Sequence, residues 1–459
     1  MRQISSAHLL SWLLVSATPV LSSESPPNVV LILADDWGWG DLGCHGHPYL
    51  KTPHLDRLAK EGTEFRQFTV ASGVCSPSRA ALMTGQFPAR HGIHGHFATV
   101  ASHVKRGMPD WLNPKAVLLP RLLRNEGYAT AHFGKWHLTN IMVKDAPLPT
   151  EYGFDEYGAF NCSGPQMPVH EDVSRSIKFI EKCHAEGTPF FLNLWIHEPH
   201  TPHYPKQKYL KQFSHLEDEP SRIYAAVLAH ADARIGELLA TLDRLKLRDN
   251  TLVIFTSDNG PENTGPASRR RVDDASTGPG FGSFASVGTT GGHRGRKRSL
   301  LQGGIGVPFI ASWPHRVAEG KIDDETPITA VDLLPTLCTI AGAELPDSYT
   351  PDGVDQSAAL FGKPSSTREK PIFWQWNFAS GRGENWPALA VREGRSKLLL
   401  GKNPERVELF RFPQDRLEKH NLRGTRVTEV ERLKALINGW TRTLPREPNN
   451  NCFSDERLK

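Results

Sequence analysis

Two apolar runs constrain the fold more than any other feature of this 459-residue chain. Residues 28–36 read NVVLILADD and residues 251–260 read TLVIFTSDNG, so each mostly apolar run ends in acidic or amide side chains. Strands that are buried on both faces of a parallel sheet have continuous apolar runs, whereas half-exposed strands alternate apolar and polar residues. The two runs therefore predict buried strands of a parallel sheet.

The segments around these runs predict an alternation of strands and helices. Apolar runs at residues 190–196 and 308–313 predict two more buried strands. Apolar periodicity, first-turn prolines and glycine stops predict helices at residues 54–61, 117–125 and 220–245. Strands that alternate with helices indicate a doubly wound α/β domain.

Changes in composition suggest how the chain is divided. Residues 261–298 are rich in Gly, Ser, Thr and Arg, and we expect a substrate-facing loop there, with a disordered insertion as the alternative. A Pro- and Gly-bearing segment follows the helical stretch 330–343, and it predicts a domain boundary. We expect a main domain at 23–345 and a smaller one at 346–459. The smaller domain is predicted to hold strands at residues 371–376, 388–392 and 396–400, then a helix at 428–440.

The first 22 residues have the order of a secretory signal peptide. Arg2 precedes a mostly apolar run at residues 9–21, which is followed by small residues. The alternative is a membrane anchor, but the run contains Pro19 and is shorter than the roughly 20 residues that a span needs. We expect cleavage near Ser22, export to the periplasm or the medium, and no stable insertion into a membrane.

Composition excludes several classes of protein. Hydrophobic residues make up 38% of the chain, too many for a disordered polymer. The 54 Lys and Arg against 50 Asp and Glu leave a net charge of only +4, which argues against nucleic acid as a partner. Six scattered cysteines without a CxxC pair predict neither a disulfide framework nor a zinc site.

Acidic and amide side chains follow both apolar runs. Asp35, Asp36, Asp258 and Asn259 stand at predicted carboxyl ends of strands, where open α/β sheets bind their ligands. Such an all-oxygen set suits Ca²⁺ or Mg²⁺, whereas zinc prefers nitrogen or sulfur. The alternative is that either pair caps a turn or a helix. The two pairs together predict a metal site.

Residues 72–85 (SGVCSPSRAALMTG) predict a short helix with Ser76 as its N-cap and Gly85 as its stop. Cys75 would then lie at the positive end of the helix dipole, a place that lowers a thiol's pKa and binds oxyanions. Arg79 can reach the same point within the first turn. A buried, inert cysteine is the alternative.

The sequence Cys75-Ser76-Pro77-Ser78-Arg79 resembles the Cys-x-Pro-x-Arg signature of type I sulfatases, in which the cysteine is converted to formylglycine. Further blocks similar to that family follow in its order, namely NVVLILADDWGWGDLG, Gly134-Lys135-Trp136-His137, Pro199-His200-Thr201-Pro202, TSDNG at 256–260, Lys297 ahead of Gly303-Gly304, and VDLLPTLCTIAGA at 331–343. The chain is identified as a member of the arylsulfatase and N-acetylgalactosamine-6-sulfatase-like group of the alkaline phosphatase superfamily. The resemblance implies an alkaline-phosphatase-like α/β sandwich with a central, mostly parallel sheet flanked by helices. A smaller C-terminal α+β domain with an antiparallel sheet is implied beside it.

The resemblance also implies the site. It makes Asp35, Asp36, Asp258, Asn259 and the formylglycine from Cys75 ligands of one Ca²⁺. Arg79 and Lys135 would hold the hydrated formylglycine and the sulfate, and His137 would bond one diol oxygen. Lys297 and His200 would contact the sulfate and the leaving oxygen. One diol oxygen attacks sulfur, the alcohol leaves, and the second hydroxyl loses its proton to expel sulfate and regenerate the aldehyde.

The predicted activity is sulfate-ester hydrolysis, with a sulfated carbohydrate as substrate and a formylglycine-generating or sulfatase-maturating enzyme as partner. The alternatives are a phosphomonoester, phosphodiester or phosphonate-ester hydrolase of the same superfamily, or a non-catalytic protein that binds sulfated glycans. The chain departs from the family at Gln302 and Gly306, where Glu and Arg are common. Other histidines near the blocks are interpreted as structural, with pocket lining as the alternative: His91, His94, His96, His170 and His203.

Overall fold

The computed structural model describes residues 25–264, 271–274, 280–363, 368–377 and 386–458. The predicted signal peptide at residues 1–22 lies outside the described residues. No helix in the described ranges is long and apolar enough to cross a membrane.

The strands form one large sheet, one small sheet and a hairpin. They are β1 (Asn28–Ala34), β2 (Thr63–Phe65), β3 (Ala129–Lys135), β4 (Glu156–Phe160), β5 (Phe190–Trp195), β6 (Thr251–Ser257), β7 (Arg271–Asp274), β8 (Gly280–Ser283), β9 (Phe309–Ser312), β10 (Lys321–Asp323), β11 (Ile372–Gln375), β12 (Leu389–Glu393), β13 (Ser396–Leu400) and β14 (Val407–Arg411). The large sheet has the order β10-β2-β9-β6-β1-β5-β3-β4. Only β9 runs antiparallel to its neighbours among the described strands of this sheet, so the mostly parallel prediction is confirmed.

Helices cover both faces of the large sheet. They are α1 (Pro53–Lys60), α2 (Cys75–Thr84), α3 (Val100–Arg106), α4 (Leu119–Asn125), α5 (Asp172–Glu186), α6 (Gln207–Gln212), α7 (Glu219–Arg244), α8 (Gln302–Ile305), α9 (Leu333–Ala341), α10 (Ser357–Leu360), α11 (Val427–Thr441) and α12 (Asp455–Leu458). Short 3₁₀ helices lie at Gly43–His45, Pro88–His91, Pro149–Tyr152, Arg248–Asn250, Ala330–Asp332 and Asn450–Cys452. Helices α2, α4 and α9 pack on one face of the sheet, and α1, α5 and α7 pack on the other.

The central strands are buried on both faces, as their apolar runs predict. In β1, Val29 and Leu31 belong to the core on one side of the sheet, and Val30 and Ile32 belong to the core on the other. The same division holds in β6, where Ile254 and Phe255 lie on opposite sides. Because both faces of these strands pack against helices, no exposed face interrupts the apolar pattern.

The C-terminal residues form an antiparallel sheet in the order β11-β12-β13-β14. Helix α11 covers one face, where Leu398 packs with Leu433. The other face joins the core of the large sheet through residues such as Trp374, whose Nε1 donates to Val70 O at 2.8 Å. The sequence analysis did not predict β14. The division at 345/346 stays a prediction, since the small sheet shares a core with the large one.

The segment 261–298 contains regular structure that its composition did not predict. Strands β7 and β8 pair antiparallel within it. A hairpin satisfies its own backbone hydrogen bonds without apolar periodicity, so it can form within a substrate-facing loop, and that role stays a prediction. The last residues of the segment, Lys297 and Arg298, line the pocket described next.

Candidate active site

The pairing of β1 with β6 brings both acidic pairs together. Ala34 lies beside Ser257 in the parallel register, so Asp35 and Asp36 leave the sheet next to Asp258. Asp36 N donates to Asp258 Oδ1 at 3.2 Å. Asn259 Nδ2 donates to Asp36 Oδ1 at 2.7 Å. Asp36 has a φ of 70°, a left-handed conformation that costs energy in a non-glycine residue and is common at functional sites.

Helix α2 carries Cys75 into this group of side chains. The helix begins at Cys75 itself, with Val74 as its N-cap, and ends at Gly85 with a φ of 66°. The prediction that Ser76 caps the helix is wrong. Its Oγ instead accepts a hydrogen bond from Phe97 N at 3.0 Å, which fixes the next segment of chain to the helix.

The Cys75 thiol does not have the lowered pKa that its helical position suggested. Burial raises the pKa to about 11, although Lys135 and Lys297 act in the opposite direction. Only 3% of the residue is exposed, and desolvation of a thiolate outweighs the helix N-terminus. Lys135 Nζ lies 3.7 Å from its Sγ.

Arg79 anchors the helix to the carboxylates. It is fully buried, and its Nε and one terminal nitrogen donate to Asp258 Oδ2 at 3.0 and 2.6 Å. Its other terminal nitrogen donates to Lys135 O at 3.0 Å. Burial, followed by the charge of Asp35, raises the pKa of Asp258 to about 7, although Arg79 opposes this shift.

Two lysines pair with the two aspartates that follow β1. Lys135 Nζ, at the end of β3, lies 2.5 Å from Asp35 Oδ2. Lys297 Nζ lies 2.5 Å from Asp36 Oδ2. Burial, the largest single effect, raises both carboxyl pKa values, but the nearby cations together outweigh it, with Lys135 foremost at Asp35 and Lys297 foremost at Asp36. The pKa of each aspartate is therefore held below its ordinary value.

Both predicted histidines border the same pocket. His137 Nε2 hydrogen-bonds to Phe97 O at 3.0 Å, and its buried Nδ1 has no hydrogen-bond partner among the described residues. His200 Nδ1 lies 2.5 Å from Thr201 O, while its Nε2 lies 3.9 Å from Asp36 Oδ2. Burial and then Lys135 hold the pKa of each imidazole well below its usual value, so both rings are neutral.

A pocket of about 420 Å³ opens above these groups. Its walls are formed by Val74, Cys75, His96, Phe97, Ala98, Thr99, Lys135, His137, Asn140, Met142, Asn161, His200, Lys297 and Arg298. Five predicted catalytic residues therefore face one space, and Arg79 lies beneath it. Sequence reasoning placed no site role on Asn140, Asn161 or Arg298, and it favoured a structural role for His96. No motif marks these wall residues, because they come from loops whose approach depends on the fold.

Three of the five predicted metal ligands, Asp35, Asp36 and Cys75, lie in a group that could hold a cation, and His200 joins them in place of Asp258 and Asn259. Asp35, Asp36, Cys75 and His200 each present a ligand atom within 4.8 Å of the others. Asp35 Oδ1 and Asn259 Oδ1 are buried and have no hydrogen-bond partner among the described residues. Orphaned buried oxygens are costly unless a cation or donor satisfies them. The oxygens of Asp35, Asp36 and Asn259 are ligands that Ca²⁺ prefers, whereas the Cys75 sulfur and the His200 nitrogen are ligands that zinc prefers.

Comparisons with known proteins agree with this geometry. A family model described as Sulfatase matches residues 27–343. N-acetylgalactosamine-6-sulfatase of Sus scrofa is 32% identical over 411 residues, which cover 80% of this chain and 72% of that protein. Arylsulfatase A of Homo sapiens is 32% identical over 429 residues, covering 84% of this chain and 77% of that protein.

A solved structure extends the similarity to nearly the whole chain. The crystal structure of Ps i-CgsB in complex with k-i-k-neocarrahexaose aligns with a TM-score of 0.76 and 26% identity, covering 93% of this chain and 96% of that chain. These findings confirm the resemblance that the Cys75 motif suggested. The chain belongs to the sulfatase family and is a sulfuric ester hydrolase.

Proposed function

We propose that this sulfatase acts on sulfated carbohydrates, with a formylglycine made from Cys75 and one bound Ca²⁺. The observation that carries the proposal is the meeting of the Cys75 motif with three cations and three carboxylates at the floor of one pocket. Two similar proteins point to carbohydrate, because one is named N-acetylgalactosamine-6-sulfatase and the other was solved with k-i-k-neocarrahexaose.

The side-chain charges of the site cancel, so the charge of a divalent cation would be free to act on an anionic substrate. The carboxylates of Asp35, Asp36 and Asp258 are matched by the positive charges of Arg79, Lys135 and Lys297, so these six groups sum to zero. A calcium ion held by the three aspartates, Asn259 and residue 75 adds two positive charges beneath the pocket. When bound, it polarises a sulfate oxygen and stabilises the charge that develops on it.

Each basic side chain has a distinct role in the proposed reaction. Residue 75 in its formylglycine form supplies the nucleophilic oxygen. Lys135 stands 3.7 Å from the sulfur of the unmodified residue, and it would hold that oxygen and a sulfate oxygen. Lys297 would bind the sulfate from the opposite side of the pocket. Fixed cations in a buried site stabilise developing charge strongly, because they need no reorganisation and little water competes with them.

The two histidines would serve the two ends of the reacting bond. His137 presents a buried Nδ1 that has no other partner among the described residues, and it would bond one oxygen of residue 75. His200 presents Nε2 to the pocket, since its Nδ1 is held by Thr201 O. We propose that the negative charge of a bound sulfate ester favours protonation of this ring, so that Nε2–H donates to the leaving oxygen and delivers its proton there.

The remaining expectations join this proposal. We propose export directed by residues 1–22, maturation at residue 75 by a formylglycine-generating or sulfatase-maturating enzyme, and a catalytic domain at 23–345 followed by a smaller domain at 346–459. The proposal includes neither nucleic acid as a partner nor stable insertion into a membrane.

A desulfation screen coupled to mass spectrometry tests the proposal. The protein is produced with a formylglycine-generating enzyme and assayed for sulfate release from sulfated monosaccharides and from glycosaminoglycan and algal oligosaccharides. Cys75→Ala should abolish release, because the nucleophile is lost. Cys183→Ala is the matched control, since this cysteine is equally buried but lies in α5 outside the motif.

Two results would contradict the proposed function. A peptide from active enzyme that still carries an intact thiol at residue 75 would contradict the proposed conversion to formylglycine. Hydrolysis of phosphate esters with a higher kcat/KM than any sulfate ester in the screen would replace the proposed activity by that of a phosphate-ester hydrolase.

A further inference from the structure

A second cluster of metal-binding side chains lies outside the pocket. His170, Glu198 and His230 each present a ligand atom within 4.8 Å of the others. His170 Nε2 lies 2.7 Å from Glu198 Oε1, and the rings of His170 and His230 are 4.8 Å apart and nearly perpendicular. The sequence analysis interpreted His170 as structural and did not single out the other two residues.

Three separate elements hold the cluster in place. His170 precedes α5 with a φ of 78°, Glu198 follows β5, and His230 lies on α7. A left-handed backbone at a histidine is strained and persists only where the surrounding structure imposes it. The side chain of Glu198 is 1% exposed, whereas both histidines are only partly buried. The cluster is therefore built into the fold and reachable from its surface.

The buried charges around the cluster leave room for a cation. Arg234 donates to Glu198 Oε2 at 2.6 Å and also binds Asp172, so one guanidinium serves two buried carboxylates. The other oxygen of Glu198, Oε1, is buried, and His170 Nε2, 2.7 Å away, is not aligned to donate a hydrogen bond to it. The positive charge of Lys206 also acts electrostatically on His230, but Lys206 is partly exposed, so solvent screens its charge. A buried carboxylate oxygen without a donor is costly, and a bound cation removes that cost.

The ligand atoms of the cluster are those of a transition metal rather than of calcium. A metal-bound histidine must be neutral, with a free lone pair on one nitrogen. Two imidazole nitrogens and one carboxylate oxygen are a ligand set that Zn²⁺ favours, whereas Ca²⁺ takes oxygen ligands almost alone.

We propose that His170, Glu198 and His230 form a transition-metal site of the Zn²⁺ type, separate from the proposed calcium ligands. With three protein ligands, the fourth position is open to water. Glu198 O accepts a hydrogen bond from Asp35 N at 3.2 Å, and Glu198 lies two residues before His200. A metal at this site ties α5 and α7 to the segment that carries His200, and so stabilises the wall of the pocket.

Zinc titration of the full-length chain tests the proposal without any assay of activity. The protein is stripped of metal, saturated with Ca²⁺, and titrated with Zn²⁺ by calorimetry and by thermal unfolding. We expect one Zn²⁺ per chain and a higher Tm on binding. His170→Ala and His230→Ala should each weaken the affinity at least about tenfold, since each removes a ligand. His184→Ala is the matched control, because His184 is an exposed histidine of α5.

Two further measurements keep the test decisive if an alanine variant fails to fold. Co²⁺ bound to the wild type should show the visible absorption of a four-coordinate site, and Glu198→Gln should lose it. Asp258→Asn, which alters the calcium ligands, should leave the zinc stoichiometry at one. Absence of binding at about 0.1 mM Zn²⁺ would overturn the proposal. Equal affinities in the wild type and both histidine variants would overturn it as well.

Discussion

Replacement of His200 and Lys297 by alanine separates proton transfer from charge stabilisation at the pocket. Lys297 Nζ lies 2.5 Å from Asp36 Oδ2. Burial acts to lower its pKa, but the surrounding negative groups, Asp36 foremost, together outweigh burial and raise the pKa, so the side chain stays cationic. His200 instead presents Nε2 with its Nδ1 held by Thr201 O. The two side chains border one pocket but offer different chemistry.

The magnitudes follow from these differences. A unit charge about 4 Å from the sulfate contributes about 4 kcal/mol at an effective dielectric constant of about 20. Loss of Lys297 should therefore lower kcat/KM by about 10²–10³ for every sulfate ester, whatever its leaving group. Loss of a general acid costs about 10²–10⁴, but only where the leaving oxygen is strongly basic. His200→Ala should therefore harm sugar sulfates far more than an activated aryl sulfate.

The assay compares kcat/KM for one aryl sulfate and one sugar sulfate in wild type, His200→Ala and Lys297→Ala. Each protein is first checked for its formylglycine content, its calcium content and its Tm, so that a failure of maturation is not read as a loss of catalysis. His315→Ala is the matched control, since the His315 side chain is 82% exposed and takes no part in the pocket. It should leave both values unchanged.

Two outcomes would refute the reasoning. Equal losses for the aryl and the sugar sulfate in His200→Ala would remove the role of general acid from His200. A loss in Lys297→Ala that grows with the basicity of the leaving group would assign proton transfer to the lysine instead.

Three further perturbations test other parts of the structure. Chelation should lower both activity and Tm because it leaves the buried Oδ1 atoms of Asp35 and Asn259 without a partner. Asp35→Ala should mimic the loss of activity, and full activity of metal-free enzyme would contradict this prediction. Burial raises the pKa of Asp41 to about 7, so between about pH 4 and pH 7 this residue binds a proton in the native state but not in the unfolded state. The stability that Asp41 contributes in its protonated form is therefore lost as the pH rises through this range. Denaturant titrations give the difference in the free energy of unfolding between wild type and Asp41→Asn. This difference should fall by about 1–4 kcal/mol from about pH 5 to about pH 8. An unchanged difference would refute the assignment of a raised pKa to Asp41. Asp110 accepts from Ser454 N and from His103 Nδ1, both at 2.8 Å, and so joins the C-terminal residues to the pocket wall. Asp110→Ala should lower Tm and raise KM more than it lowers kcat, whereas an unaltered KM would limit Asp110 to stability.

Local patterns in the sequence were enough for the central strands and for the cysteine motif. The apolar runs of β1 and β6 report burial on both faces, and that property depends on the residues of each strand alone. The helix bounds of α1, α4 and α7 lie within two residues of their predictions, because prolines and glycines mark where a helix begins and ends. The sulfatase resemblance is likewise contained in a few contiguous residues around Cys75.

Strand β3 shows where local reasoning stopped. Its sequence ATAHFGK contains a histidine, a glycine and a lysine, so it lacks the apolar pattern of a buried strand. It is nevertheless almost wholly buried, because its neighbours β4 and β5 and its contacts within the core satisfy these residues. Lys135 is the last residue of β3, and its side chain contacts Asp35. Only the order of strands in the sheet determines that contact.

The sequence by itself determined which residues we propose for the chemistry, since the acidic pairs, Cys75 and Arg79 stand in or next to locally encoded strands and helices. Only the tertiary structure decided how they interact. Burial depth raises the pKa of the Cys75 thiol where a helix N-terminus alone would lower it. The meeting of His170, Glu198 and His230 likewise depends on how α5, β5 and α7 pack. The physical reason is that desolvation and contacts across the fold depend on neighbours distant in the chain, which no local pattern specifies.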